Sequence, residues 1–238
     1  LSGATTGSGT NTLAGVDFPK GTTTVIWTVT DMSGNTITCT FTVAVSDVEL
    51  PTISCPGTQT RNTDAGECNY TAVVAGEFDP TGYDDNCPME TISNDYDMTS
   101  SLDGSDFPKG TTTVIWTVTD MSGNTATCTF NVVVSDIELP TISCPSNPQS
   151  RNTNTGVCTY TAVAGEFNPT FADNCPMATI SNNLNASSTL AGHVFAKGTT
   201  LVIWTVTDMS GNMASCTFNV VVSDIELPTI SCPSNPQS

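Results

Sequence analysis

Across residues 110–134 apolar and polar positions alternate with a period of two, the spacing of a β-strand with one face on a core. Thr112, Val114, Trp116 and Val118 share one face, and Thr113, Ile115, Thr117 and Thr119 share the other. A polar turn, Asp120 to Asn124, precedes a second alternation of Cys128, Phe130, Val132 and Val134. The two runs predict a hairpin with Trp116 and Phe130 facing inward. Further along, Ile142 to Cys144 and Cys158 to Val163 read as strands on either side of a polar Asn-Thr-Gly turn. No helical period stands out. Roughly six or seven short strands per unit, punctuated by Gly, Pro and Asn, predict an all-β, immunoglobulin-like (fibronectin III-like) β-sandwich.

The hairpin recurs almost letter for letter, beginning at Phe18, Phe107 and Phe195, with offsets of 89 and 88 residues. That period is a small domain rather than a solenoid turn. Counted from the shared Pro-Thr-Ile-Ser-Cys string, the units are expected to run 1–50 (the later part of a repeat), 51–139, 140–227 and 228–238 (the opening of another). Tandem β-sandwiches are the expected organisation, in what reads as a segment of a longer array.

Composition narrows the partners. Five Lys and Arg stand against 23 Asp and Glu, a formal charge of −18. Nucleic acid and anionic membrane both call for a basic surface, so neither is an expected partner. No apolar run is long enough to insert into a bilayer. The ten cysteines fall in a repeating order: Cys39; Cys55, Cys68, Cys87, Cys128; Cys144, Cys158, Cys175, Cys216; Cys232. Four per small Thr-rich unit predict a disulfide framework and an oxidising, extracellular location. A zinc site is disfavoured by the absence of Cys-x-x-Cys and by a single histidine, His193.

The strings Pro-Thr-Ile-Ser-Cys-Pro, Asp-Asn-Cys, Phe-Pro-Lys-Gly-Thr-Thr-Thr-Val and Thr-Asp-x-Ser-Gly-Asn-x-x-x-Cys-x-Phe together resemble the hyalin repeat (HYR) module, over essentially the whole chain. The resemblance implies an extracellular, immunoglobulin-like module associated with adhesion. Its four-cysteine form implies very large bacterial surface proteins, gliding-type adhesins among them. For the cysteines, the strand order of such a sandwich puts Cys55 near Cys128 and Cys144 near Cys216. Simpler members of the family keep only that outer pair, which implies Cys68–Cys87 and Cys158–Cys175 as the inner ones. Four cysteines allow three pairings. The outer bridge would close a loop worth about 4 kcal/mol in the chain-entropy model.

Acidic side chains gather at the unit junctions. The linkers carry Asp47 and Glu49, Asp136 and Glu138, Asp224 and Glu226. In an immunoglobulin-like topology two loops of each unit face the preceding linker. They bring Asp84, Asp85 and Asn86 with Asp120 and Asn124 in one unit, and Asp173 and Asn174 with Asp208 and Asn212 in the next. Calcium is the one cofactor these residues suggest, since it takes six to eight hard oxygen ligands. The competing reading stands equally: Asp-x-Ser-Gly-Asn is a turn satisfying its own backbone, and the linker acids are solvated.

No nucleophile–base pair or phosphate loop recurs, so enzymatic activity is not expected. Trp27, Trp116 and Trp204 could stack on sugars, but their alternation with valine places them in the core. A turn is the expected role of Lys109, ahead of an isopeptide bond. The expected function is the stalk of an extracellular fibre or adhesin, stiffened by calcium at its junctions. The alternative is a multivalent glycan- or protein-binding module, whose variable patch would be Met89–Ser105 and Met177–Gly192. Partners would be neighbouring repeats of the same chain, with self-assembly into filaments through outward Ile and Thr strands as a further route.

Overall fold

A computed structural model describes residues 12–87 and 90–232. Residues 1–11 of the expected first unit, Pro88 and Met89 of the variable patch, and residues 233–238 of the expected fourth unit lie outside the described residues. Every regular element among the described residues is a strand. The first repeat contributes β1 (Gly21–Thr30) and β2 (Thr36–Val45). The middle repeat carries β3 (Thr52–Ser54), β4 (Gln59–Asn62), β5 (Asn69–Thr71), β6 (Gly82–Asp84), β7 (Thr91–Asn94), β8 (Asp106–Pro108), β9 (Gly110–Thr119) and β10 (Thr125–Ser135). The third repeats this order with β11 (Thr141–Ser143), β12 (Gln149–Asn152), β13 (Thr159–Thr161), β14 (Thr170–Ala172), β15 (Thr179–Asn182), β16 (Val194–Ala196), β17 (Gly198–Thr207) and β18 (Met213–Ser223).

The third repeat shows how the sandwich is built. One sheet has the order β12-β18-β17-β15, and two short ladders, β11-β14 and β13-β16, supply the opposing layer. β17 and β18 pair antiparallel from Gly198↔Val222 to Thr207↔Met213. Their alternation delivers Val202, Trp204, Phe218, Val220 and Val222 to one face, where they meet Ala162, Phe167, Leu190 and Phe195. Phe167 takes Phe195 edge-on at 5.5 Å between ring centroids. Trp204 is 0% exposed, and its indole N–H donates to the Phe167 carbonyl at 3.1 Å. The ring therefore buries its whole apolar surface without orphaning a donor. Trp116 is equally buried and donates to the Phe78 carbonyl, so a sugar-stacking role for these two rings is closed. Trp27, in β1, is only half-buried.

The middle repeat has the same strand pattern, β4-β10-β9-β7 with ladders β3-β6 and β5-β8. β4 and β12 pair parallel with β10 and β18, through Gln59↔Val132 and Gln149↔Val220. These two polar strands have no apolar alternation to announce them.

The chain falls into two compact units, residues 1–58, 73–103 and 113–131 in one and 59–72, 104–112 and 132–238 in the other. The middle repeat contributes to both. Each described junction, linker and receiving loops together, lies within one unit: the Asp47 junction in the first, the Asp136 junction in the second.

The disulfides depart from the expected inner pairing. Cys55–Cys128 and Cys144–Cys216 are bonded. The pairs Cys68–Cys87 and Cys158–Cys175 are not formed; Cys68 is instead bonded to Cys175 of the following repeat, 107 residues away. The third repeat shows the reason. Cys158 lies on the turn that touches the outgoing linker, where the Gly156 N–H donates to Glu226. Cys175 follows Asn174, whose amide donates to Asp136 of the incoming linker. The two cysteines thus serve opposite linkers of one sandwich, and Cys175 meets the repeat before it.

Candidate functional site

The receiving loops are shaped by aspartate. In the hairpin turn Asp208 Oδ1 accepts the N–H groups of Ser210 and Asn212 at 2.9 and 2.7 Å, and Oδ2 accepts the Asn212 amide at 2.7 Å. Asp120 makes the same three bonds with Ser122 and Asn124, and Asp31 with Ser33 and Asn35. Gly211 and Gly123 complete these turns at φ of 90° and 87°, a conformation that favours glycine. The Asp-x-Ser-Gly-Asn string is therefore a self-satisfied turn, and its outer groups also reach the linker.

Those outer groups hold Asp136, whose side chain is 0% exposed. Ser210 Oγ donates to Asp136 Oδ2 at 3.1 Å, and the Asn212 amide donates to the Asp136 carbonyl at 3.2 Å. Lys109 Nζ lies 3.5 Å from the same Oδ2. Asn174 donates to Asp136 Oδ1 at 3.4 Å and to the Glu67 carbonyl at 2.8 Å. In the first compact unit Asp47 is held likewise, by Ser122 Oγ at 3.0 Å, by the Asn124 amide on its carbonyl, and by Lys20 at 3.4 Å.

Two groups of side chains among the described residues could hold a metal ion: Asp136, Asp173 and Asp208, and separately Asp47, Asp85 and Cys87. In the first group one carboxylate oxygen from each residue lies within 4.8 Å of the others. Asp173 Oδ1 and Asn174 Oδ1 are buried there without a hydrogen-bond partner, as is Asp85 Oδ1 at the other junction. Burial, with the charges of Asp208 and Asp136, pushes the Asp173 carboxyl above its ordinary value, against the N–H bond from Cys175. Burial also acts to raise Asp208, but the Asn212 and Ser210 bonds outweigh it and hold that carboxyl below its ordinary value. Orphaned hard oxygens beside mutually repelling carboxylates are a donor set that suits calcium. The Lys109 ammonium, paired with Asp136, supplies a positive charge at the same group.

Other expected ligands are engaged in hydrogen bonds of their own. Glu138 accepts the Gly66 N–H at 2.8 Å, and Glu49 accepts the Asn86 amide at 2.8 Å. Asp84 is exposed on β6 and accepts the Asp85 N–H. Asn124 and Asn212 present their amide donors, not their oxygens, to their aspartates. Sequence reasoning missed the lysine. Lys20, Lys109 and Lys197 each pair with the linker aspartate 27 residues later, Asp47, Asp136 and Asp224, at 3.4, 3.5 and 3.6 Å. That fixed spacing in three repeats was the available signal.

The family model described as HYR domain matches residues 2–45, 46–134 and 135–222. Hyalin of Strongylocentrotus purpuratus is 34% identical over 226 residues, covering 92% of this chain and 18% of that protein. Hyalin of Lytechinus variegatus is 35% identical over 224 residues, covering 91% and 40%. The sushi, von Willebrand factor type A, EGF and pentraxin domain-containing protein 1 of Mus musculus is 34% identical over 190 residues, covering 79% and 5%. The chain thus spans less than half the length of each of these relatives. Among solved structures, PcdhgB3 EC1-4 aligns at a TM-score of 0.39 and 11% identity over 85% of this chain and 65% of that one, too slight a likeness to build on. The chain belongs to the HYR domain family, as three successive repeats of it.

Proposed function

We propose that this chain is a segment of an extracellular, adhesion-related structural array, a stalk whose working parts are its junctions. The observation that carries the reading is the burial of Asp136 under side chains of the repeat that follows it, alongside the Cys68–Cys175 bond to that same repeat. A junction needed only as a tether would call for neither. The disulfides support an oxidising location outside the cytoplasm. The relatives are animal proteins and lend no support to a bacterial adhesin setting. The expected units 51–139 and 140–227 are carried forward as part of this proposal.

Calcium is the ligand this reading assigns to the Asp136 junction, with Asp136, Asp173, Asp208 and Asn174 Oδ1 holding it. A bound cation would offset the repulsion among three carboxylates and satisfy the two orphaned oxygens. Calorimetric titration of the full chain with calcium, after chelator treatment, tests it. Saturable binding that is lost in Asp173→Asn is expected. A flat titration, with thermal unfolding indifferent to calcium, would sink the assignment.

A further inference from the structure

We infer that Cys158 is the waiting half of a second inter-repeat disulfide, whose partner is the Cys175-type cysteine of a HYR repeat following Leu227 on the same chain. By position in the repeat Cys158 is the counterpart of Cys68, and Cys175 that of Cys87. The one bond seen between these two classes, Cys68–Cys175, joins a repeat to its successor.

The turn that carries Cys158 is already built to the pattern of the Cys68 turn. The Cys68 carbonyl accepts from the Lys109 N–H at 3.1 Å, and the Cys158 carbonyl from the Lys197 N–H at 3.3 Å. The Asp64 N–H donates to the Asn69 carbonyl, and the Asn154 N–H to that of Thr159, each at 2.7 Å. The linker glutamate docks on both turns, Glu138 on the Gly66 N–H at 2.8 Å and Glu226 on the Gly156 N–H at 2.9 Å. What differs is the sulfur: Cys68 is bonded, whereas Cys158 is an exposed thiol. It borders an open cavity lined by Gly156, Val157, Asp224, Glu226 and Leu227.

Cys87 is the reciprocal half. The Asp85 carboxylate accepts the Cys87 N–H at 3.0 Å, as Asp173 accepts that of Cys175 at 3.1 Å. Its thiol forms no disulfide. The array is thereby threaded by one covalent link per junction, separate from the bond inside each sandwich and independent of any cation.

Bond formation consumes a small-molecule disulfide such as glutathione disulfide. The Cys158 thiolate displaces one glutathione to form a mixed disulfide. The thiolate of the following repeat then displaces the second, so one disulfide is reduced to two thiols as the inter-repeat bond forms.

The test uses the full chain lengthened by one repeat, with residues 140–238 duplicated directly after Leu227. It is refolded in a glutathione buffer, alkylated and mapped by mass spectrometry of non-reduced peptides. Cys158 is expected to be linked to the duplicate's Cys175, with loss of the alkylation adducts of both. In Cys158→Ser the duplicate's Cys175 should regain its adduct while Cys68–Cys175 stays intact. Full alkylation of Cys158 in the lengthened chain would overturn the inference. So would a bond between the duplicate's own Cys158 and Cys175.

Discussion

Asp136 is the residue on which a junction turns, because a carboxylate removed from water must find its compensation in protein groups. Ser210, Asn174 and Lys109 provide it. Asp136→Ala should cost about 1–3 kcal/mol, the penalty for stranding those donors, read from chemical unfolding of the full chain. Lys109→Met tests the same place differently. Removing the paired ammonium should tighten calcium binding about tenfold, a change of roughly 1.4 kcal/mol, while lowering stability in chelator. The two neighbouring aspartates give the junction opposed responses to pH. Asp173, raised in the folded state, contributes stability that is complete below its ordinary value of 3.8 and is lost as pH rises through its folded value. Asp208, lowered in the folded state, contributes stability above that ordinary value and loses it as pH falls through its folded value. Above pH 3.8, where the Asp208 contribution is already complete, Asp173 should therefore add a falling component to the thermal midpoints in chelator as pH is raised towards neutrality, and Asp173→Asn should remove it. An unchanged slope in the variant would show that Asp173 is not its source.

At the scale of elements, the long hairpin of β17 and β18 is the spine of the third sandwich, as β9 and β10 are of the middle one. Its period-2 alternation was legible because one face meets a core and the other meets solvent. The same rule put Ile115 outward, where it is 38% exposed. Trp204→Ala should cost about 3–5 kcal/mol, since the site loses a fully buried ring and the bond to Phe167. Equilibrium unfolding of the full chain measures it. β12 was not legible. Gln149, Ser150, Arg151 and Asn152 carry no apolar face, and their strand exists because the edge of β18 offers unpaired backbone groups. The junction acids were legible as a cluster but not as a ligand set. Composition places carboxylates near one another, whereas the direction of each hydrogen bond decides which oxygens stay free. Asn212 and Asn124 looked like ligands by type and act as donors by geometry.

For the whole chain, repetition both revealed the organisation and concealed the linkage. Three near-identical hairpins gave the period at sight. The same identity made Cys68, Cys87, Cys158 and Cys175 ambiguous, because spacing within a repeat is silent on whether a cysteine looks forward or inward. The bond that formed closes 107 residues, which in the chain-entropy model is worth about 5 kcal/mol. It ties the fate of one sandwich to that of the next. The most direct test of that central claim is small-angle scattering of the full chain beside its Cys68→Ser/Cys175→Ser variant, each with calcium and with chelator. Fixed junctions predict one narrow distance distribution for the intact chain in calcium, broadening when the bond is removed and further in chelator. Four superimposable curves would contradict the account, because neither the disulfide nor the cation would then be setting how successive repeats are held.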